Sequence, residues 1–251
     1  MKKRYKVLIG VGITLLLIAI GSFFVFQRNT YSATPEAEKI SQTAKDEADY
    51  LYLDSGKKDA TLVIFYPGAL VDPESYSLWA DNLATRGYDV AIIKMPLDLA
   101  VLAPNRAETV LEDHPNQEYV IGGHSLGGVM GSRYVANHFQ EDQRLRGMFY
   151  LASYPDEKGS LKNTNLAVLS ITATNDQVLN QEAYKEAKQY LPKQTVYESI
   201  DGGNHAGFGS YGAQRGDGKA TISTEKQQEE VANRLVDWLQ TIEQSTKKET
   251  K

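Results

Sequence analysis

The chain has 251 residues, a formal net charge of −5 and 24% charged residues, which is the balance of an ordinary globular domain. An acidic chain without a basic stripe gives no indication of a nucleic-acid partner. The sequence contains no cysteine, which excludes disulfides, thiolate metal sites, a cysteine nucleophile and a lipidated N-terminal cysteine. No metal-ligand spacing and no dinucleotide-binding glycine motif occurs, so we expect neither a metal nor a cofactor.

The N-terminus resembles a membrane anchor in composition. Residues 1–6 are basic, and residues 7–26 follow without one charged side chain. As a helix this run would be about 30 Å long, the thickness of a bilayer core. A cleaved signal peptide is the alternative, but its apolar core is usually shorter, and residues 31–34 are a poor cleavage site. We therefore expect an uncleaved single-pass signal-anchor with its basic flank in the cytoplasm and the rest of the chain outside.

Residues 27–48 are polar and rich in alanine, glutamate and lysine, and we expect a stalk with a short exposed helix at 36–48. The globular domain should then cover residues 49–244, and residues 245–251 should form a disordered tail.

Continuous apolar runs alternate with helical patterns along the domain. Unbroken apolar runs are typical of parallel strands that are covered on both faces. The runs predict strands at 61–66, 89–94, 119–122, 147–152, 166–171 and 194–200, with a possible edge strand at 50–53. Helices are expected from Asp72-Pro73 onward and over 100–112, 129–139, 181–190 and 225–244. This alternation predicts an α/β fold with a doubly wound, mostly parallel sheet.

One motif carries the most chemical information. Gly123-His124-Ser125-Leu126-Gly127 lies directly after the predicted strand at 119–122 and before a helical segment. A G-x-S-x-G sequence in that context is the turn that exposes a nucleophilic serine above a sheet. The alternative is a glycine-rich turn without chemistry.

These features resemble the α/β-hydrolase superfamily over roughly residues 50–242. The compact branch that includes dienelactone-hydrolase-like enzymes is the most similar, which implies a sheet without a large cap domain. Three stretches also resemble a bacterial membrane-anchored group within it: Tyr66-Pro67-Gly68-Ala69, Gly122-Gly123-His124-Ser125-Leu126-Gly127-Gly128 and Gly202-Gly203-Asn204-His205.

In this fold the partners of the nucleophile follow it in the order acid, then histidine. Only His138 and His205 lie downstream of Ser125, and His138 lies within the helix that follows the serine. We therefore predict His205 as the general base, and we interpret His114 and His124 as structural.

The catalytic acid should follow the strand at 166–171. Asp176 occupies that place, in a stretch that resembles the family's G-T-x-D-x-V with Ala173 in place of glycine. A helix N-cap is the alternative role for Asp176, and Asp156 and Asp201 are rival acids. The oxyanion hole needs two backbone N–H groups. We expect them from Leu126 and from Ala69, with Leu70 as the alternative to Ala69.

Together these residues predict a membrane-anchored, extracytoplasmic serine hydrolase. A carboxylic-ester hydrolase that acts through an acyl-enzyme is the leading hypothesis, with a small-molecule ester or a surface-polymer ester as substrate. A thioesterase, amidase or acyltransferase could use the same residues, and a non-catalytic binding module with this fold is the other alternative. The sequence identifies neither the substrate-binding residues nor the oligomeric state.

The link between the strands at 147–152 and 166–171 is short. Its 13 residues include Pro155, Gly159 and Asn163 and indicate a loop without room for a lid. We therefore expect a shallow, open site.

Overall fold

The computed structural model describes residues 30–249. Within that part of the chain, no helix is both long and apolar enough to cross a membrane. The predicted signal-anchor at 7–26 and the basic segment at 1–6 lie outside the described residues.

The described residues form an eight-stranded sheet with the order β1-β2-β4-β3-β5-β6-β7-β8. β1 and β2 pair antiparallel, as do β2 and β4, and every other neighbouring pair is parallel. The strands are β1 (Lys45–Asp46), β2 (Tyr50–Leu53), β3 (Leu62–Tyr66), β4 (Asp89–Ile93), β5 (Tyr119–His124), β6 (Leu145–Leu151), β7 (Ala167–Ala173) and β8 (Val196–Ile200). The predicted mostly parallel, doubly wound sheet is confirmed.

Alternation of side chains along the central strands gives the sheet two apolar faces. On β3, Val63 and Phe65 belong to one buried cluster, whereas Leu62 and Ile64 belong to the other. Because both faces are covered, the central strands are unbroken apolar runs, which is why their positions could be predicted.

Helices cover the two faces in separate layers. The helices are α1 (Pro35–Ser41), α2 (Ser77–Ala84), α3 (Ala107–Asp113), α4 (Leu126–His138), α5 (Gln181–Ala187) and α6 (Thr224–Glu249). Trp79 of α2 and Trp238 of α6 pack into the cluster that contains Phe65. Val110 of α3 and Tyr134 of α4 pack into the cluster that contains Ile64.

Two helix predictions need correction. The expected helix over 100–112 is interrupted: a 3-10 turn at Ala100–Leu102 is separated from α3 by a non-helical link that contains Pro104. Proline disfavours helical geometry in the residue before it, here Ala103. The last helix continues to Glu249, beyond the expected end at 244, because no glycine or proline follows to end it.

The segment that we expected to be a stalk is largely folded onto the domain. Tyr31 forms a parallel bridge with Val71, and α1 buries Ala37 completely. The chain then turns and adds β1 to the edge of the sheet, so the expected helix over 36–48 ends at Ser41. Residues 31–48 are therefore part of the folded body.

The structure has no large cap domain in its described part. Only a 3-10 turn, Glu157–Gly159, lies between β6 and β7. The carboxyl ends of the parallel strands remain open, as expected from the short link.

Candidate active site

Ser125 occupies a sharp turn between β5 and α4. Its backbone angles are φ 50° and ψ −123°, an unfavourable region for a residue with a side chain. The turn closes because its flanking glycines lack Cβ atoms. A Cβ on Gly127 would lie 2.1 Å from the Tyr66 carbonyl oxygen, and one on Gly123 would lie 2.5 Å from the backbone of Gly127. The predicted strand–turn–helix context is therefore present.

A pocket of about 250 Å³ lies above this turn. Ser125 and His205 both line it, so the structure brings the predicted nucleophile and base to one opening. The other lining residues are Leu126, Val129, Ala152, Ser153, Tyr154, Val178, Leu179 and Asn180. Ser125 Oγ makes no hydrogen bond to any described residue. Hydrogen bonds of a catalytic serine often tighten only when substrate is bound.

His205 is held by Asp176 below the pocket. The distance from His205 Nδ1 to Asp176 Oδ2 is 2.9 Å, and both side chains are almost completely buried. The other carboxylate oxygen, Oδ1, accepts the backbone N–H groups of Val178 and Leu179, each at 2.8 Å. Because Asp176 is fixed at both oxygens, it fixes the plane of the imidazole and favours a proton on Nδ1, which leaves Nε2 free to accept one.

The two rival acids have other partners. Asp156 pairs with Arg133, which lowers the pKa of that carboxyl group, and its side chain also accepts the Gly159 N–H. Asp201 is exposed and accepts a hydrogen bond from the Thr174 hydroxyl at 3.2 Å. Of the three candidates, Asp176 is the one that contacts the histidine.

Two polar side chains that were not identified from the sequence form hydrogen bonds to the backbone on either side of His205, in the segment 202–206 that we call the histidine loop. Gln227 of α6 accepts the Asn204 N–H at 3.0 Å and donates to the Asn204 carbonyl at 2.8 Å. Asp217 accepts the Ala206 N–H at 2.9 Å and the Gln177 N–H at 3.2 Å, and so joins the loops of base and acid. Neither residue belongs to a local motif, so only the tertiary structure reveals this role.

The loop after β3 approaches the first turn of α4. Leu126 is the first residue of α4, where a backbone N–H has no partner within the helix. The Leu70 N–H is occupied, because it donates to the Asp98 carbonyl at 2.8 Å. The Ala69 N–H makes no hydrogen bond to any described residue. Of the two sequence-predicted donors on this loop, Ala69 is therefore the one that remains available.

A buried hydroxyl group connects this loop to the serine turn. Tyr76 Oη accepts the Gly68 N–H at 2.9 Å and lies 3.0 Å from His124 Nδ1. The Tyr76 hydroxyl is the donor to Nδ1 when the ring proton of His124 is on Nε2. Tyr76 was not identified from the sequence, because a tyrosine in a short 3-10 turn carries no motif.

His124 is completely buried directly behind the predicted base. Its ring centroid lies 4.5 Å from that of His205. Burial, with a smaller contribution from His205, holds the pKa of His124 well below its ordinary value. A neutral ring here avoids repelling positive charge on His205.

The remaining histidines lie away from the pocket. His138 stacks on Tyr134, and its Nδ1 lies 2.8 Å from the Tyr134 carbonyl oxygen. His114 stacks on Tyr52, with 4.6 Å between the ring centroids. Their positions agree with the sequence interpretation that neither is the base.

Residues 62–229 match the profile of the Alpha/beta hydrolase family. The match covers well over half of the chain, and the chain belongs to this family. No curated protein matches the sequence significantly.

Several solved structures share the fold at low sequence identity. A putative lipase from Acinetobacter baumannii AYE is 14% identical with a TM-score of 0.58, covering 84% of this chain and 95% of that one. Dienelactone hydrolase from Anabaena variabilis is 13% identical with a TM-score of 0.56, covering 78% and 93%. The esterase domain of a Rhodothermus marinus protein is 12% identical with a TM-score of 0.55, covering 75% and 90%. At these identities the similarity establishes the fold alone.

Proposed function

We propose that the protein is a membrane-anchored serine hydrolase that cleaves carboxylic esters outside the cytoplasm. The observation that carries the proposal is the buried 2.9 Å contact between His205 Nδ1 and Asp176 Oδ2. The same histidine lines the pocket that Ser125 also lines. A serine at a strained turn, a fixed histidine and a buried carboxylate are the three parts that acyl transfer requires.

In the first half of the proposed reaction, His205 Nε2 takes the Ser125 proton as Oγ attacks the ester carbon. The C–O bond to the alcohol then breaks, and the alcohol leaves with the proton from His205. In the second half, water attacks the acyl-enzyme with His205 again as base, releases the carboxylic acid and restores the serine. Asp176 orients the ring and stabilises its charged form.

The developing negative charge on the ester oxygen needs donors that are already in place. The backbone N–H groups of Ala69 and Leu126 would supply them, and the N-terminus of α4 adds a favourable partial charge. The proposed donors are main-chain groups, so they do not depend on the identity of neighbouring side chains such as Pro67.

Esters are favoured over thioesters and amides by the activities named for solved structures that share the fold. An esterase domain, a putative lipase and a dienelactone hydrolase share the fold. The same residues could serve a thioesterase, amidase or acyltransferase. Against a purely binding module stands the geometry of the acid–histidine pair, because Asp176 fixes the imidazole of His205 at the pocket that Ser125 also lines.

Labelling with a fluorophosphonate probe tests the nucleophile. The full-length chain should be labelled, and S125A should lose both the label and nearly all esterase activity. S153A is the matched control, because Ser153 lines the same pocket but already donates to the Ser125 carbonyl at 2.6 Å. Undiminished labelling of S125A would contradict the assignment.

The anchor is tested separately. The basic residues 1–6 and the uncharged run 7–26 support an N-in, C-out orientation. Protease added to intact cells should therefore cleave the catalytic domain. Protection of the domain, or its complete recovery from the medium, would contradict an outward-facing anchored form.

A further inference from the structure

The chain enters the folded domain beside the candidate active site. The Tyr31 N–H donates to the Leu70 carbonyl at 2.7 Å, and the Asp72 N–H donates to the Tyr31 carbonyl at 3.0 Å. The bridge to Val71 is parallel. In a parallel pairing the two segments run in the same direction, so Thr30, which precedes Tyr31, lies on the same side as Leu70, which precedes Val71. The chain therefore arrives from the side of Leu70 and Ala69.

A second contact fixes this entry point. The Thr34 N–H donates to the Ser210 carbonyl at 2.8 Å, and the two hydroxyl groups also lie 2.8 Å apart. Ser210 follows the histidine loop, and its own N–H donates to the Ser75 carbonyl at 2.7 Å. The entry segment is thus joined both to the loop after β3 and to the chain that follows His205.

The connection to the proposed anchor is short. Four residues, 27–30, separate the uncharged run from Tyr31. Fully extended, the chain from Phe26 to Tyr31 reaches at most about 18 Å. A domain of this size is about 40 Å across. Only the face that carries Tyr31 and the loop after β3 can therefore lie at the membrane surface.

That face also carries an exposed apolar patch. Leu97, Val101 and Leu102 are 54%, 47% and 54% exposed, and they are three of the five large hydrophobic side chains exposed among residues 30–249. The patch lies at the carboxyl end of β4 and beside the loop that follows β3, because the Asp98 carbonyl accepts the Leu70 N–H. We call this loop, residues 67–72, the oxyanion loop after the donor role proposed for Ala69. The three side chains belong to two consecutive 3-10 turns, Pro96–Asp98 and Ala100–Leu102, and so offer a candidate contact surface.

Charge around the patch points to apolar insertion rather than to attraction of anionic lipids. The acidic side chains of Asp72, Glu74 and Asp98 lie around the same loops. These groups would repel anionic headgroups, so proximity must come from the tether. A short tether keeps a weak contact continuously near its partner and so makes it effective.

We propose that the bilayer that anchors the chain covers the Leu97–Val101–Leu102 patch, and that the substrate is an ester of an amphiphile in that bilayer. This inference rests on the proposed function. A pocket of about 250 Å³ is large enough for the ester and the groups next to it. The rest of the substrate stays in the membrane, so no long acyl tunnel is needed.

The kinetic test uses the full-length chain in phosphatidylcholine vesicles and two fluorogenic aryl acetates with the same ring system. The ring of one carries a long alkyl chain, and the ring of the other carries none and is water-soluble. In the double variant V101Q/L102Q, the ratio of kcat/KM for the bilayer-resident ester to that for the soluble ester should fall about tenfold. The matched control is V196Q/Y197Q, which changes the two other exposed hydrophobic residues, on the edge strand β8. This control should keep the wild-type ratio.

A flexible insert tests the tether. Twenty glycine and serine residues placed after Arg28 have a root-mean-square span of about 25 Å, longer than the whole native connection. The same ratio should fall. If the soluble ester is cleaved but neither variant changes the ratio, the membrane proposal is wrong while the hydrolase stands. If neither ester is cleaved and Ser125 is not labelled, the proposed function itself fails.

Membrane contact can be measured without activity, because the chain has no cysteine of its own. L102C, labelled with an environment-sensitive fluorophore, should be quenched by nitroxide lipids in the vesicle, and V196C should not. Lack of quenching at residue 102 would overturn the proposal. A blue shift there without quenching would also overturn it, since it would mean that protein, such as a second copy of the chain, covers the patch.

Discussion

Replacing Tyr76 with phenylalanine should test how the oxyanion loop is held. The hydroxyl group is buried and joins the Gly68 N–H, at 2.9 Å, to His124 Nδ1, at 3.0 Å. Phenylalanine preserves the ring packing against Phe65 but removes both hydrogen bonds. The Gly68 N–H is one residue from Ala69, so its loss should affect both stability and the position of the proposed donor.

The magnitude follows from the two groups left behind. A buried donor without a partner costs about 1–3 kcal/mol, and a buried ring nitrogen costs less if His124 changes tautomer. We expect a total loss of about 2–4 kcal/mol in the free energy of unfolding. For a domain of this size, that lowers Tm by about 5–12 °C. Removing an oxyanion donor entirely costs 10²–10³-fold in kcat, so loosening one should cost about tenfold.

Thermal unfolding and ester hydrolysis of the full-length chain in detergent measure both effects. Y134F is the matched control, because Tyr134 is buried on the serine helix but its hydroxyl group makes no hydrogen bond to a described residue. If Y76F keeps the wild-type Tm and kcat, the inferred connection is wrong. A lower Tm with an unchanged kcat would show that the oxyanion loop is positioned without Tyr76.

Three further predictions concern charge, orientation and substrate size. Burial, with Asp72 and Glu74 adding repulsion, raises the pKa of Asp98 to about 6. Between about pH 4 and pH 6, Asp98 is therefore more often protonated in the folded state than in the unfolded state. The free energy of unfolding consequently falls as pH rises through that window. D98N should therefore melt about 2–4 °C above the wild type at pH 7–8, which corresponds to about 1 kcal/mol after solvent screening. Near pH 4, D98N and the wild type should have the same Tm. The control is D59N, at an exposed residue of similar φ, which should have the wild-type Tm at both pH values. D176N should lower kcat about 10³–10⁴-fold without unfolding the chain, and a loss under tenfold would contradict its role. With soluble p-nitrophenyl esters, kcat/KM should not rise beyond about four to six acyl carbons, and a rise toward sixteen would reveal an acyl tunnel.

The sheet and the serine turn could be predicted because their signals are local. Both faces of the central strands are buried, so each strand is a continuous apolar run. The strand β2 was predicted at its observed bounds but as an edge strand, whereas it lies between β1 and β4. The turn at Ser125 needs small residues where β3, β5 and α4 approach each other, which leaves a glycine pattern in the sequence. The choice of His205 rested on the chain order that the family resemblance implies and on the exclusion of His138, the other histidine after Ser125, because it lies within the following helix.

The entry segment could not be predicted in the same way, because long-range contacts decide its structure. Residues 27–48 have the composition of a linker, and nothing local indicates that Tyr31 pairs with Val71 or that Ala37 is buried against the domain. Tyr76, Gln227 and Asp217 were missed for the same reason. Each side chain binds the backbone of a loop without a recognisable sequence pattern. Polar residues of these types are also common on surfaces, so their presence in the sequence does not point to this role.

The positions of these missed residues explain how an open site can remain ordered. Loops at the carboxyl ends of the strands carry the candidate groups, and no cap covers them among the described residues. Each loop is instead fixed from behind: the histidine loop by Gln227 and Asp217, and the oxyanion loop by Tyr76 and by the Asp98 carbonyl. The entry segment adds the Tyr31 hydrogen bonds to that second loop, so the part of the chain that composition marks as a spacer helps to hold the oxyanion loop in place. A domain boundary at residue 49 would remove that support, and the folded unit that bears the site therefore begins at Tyr31 or before it.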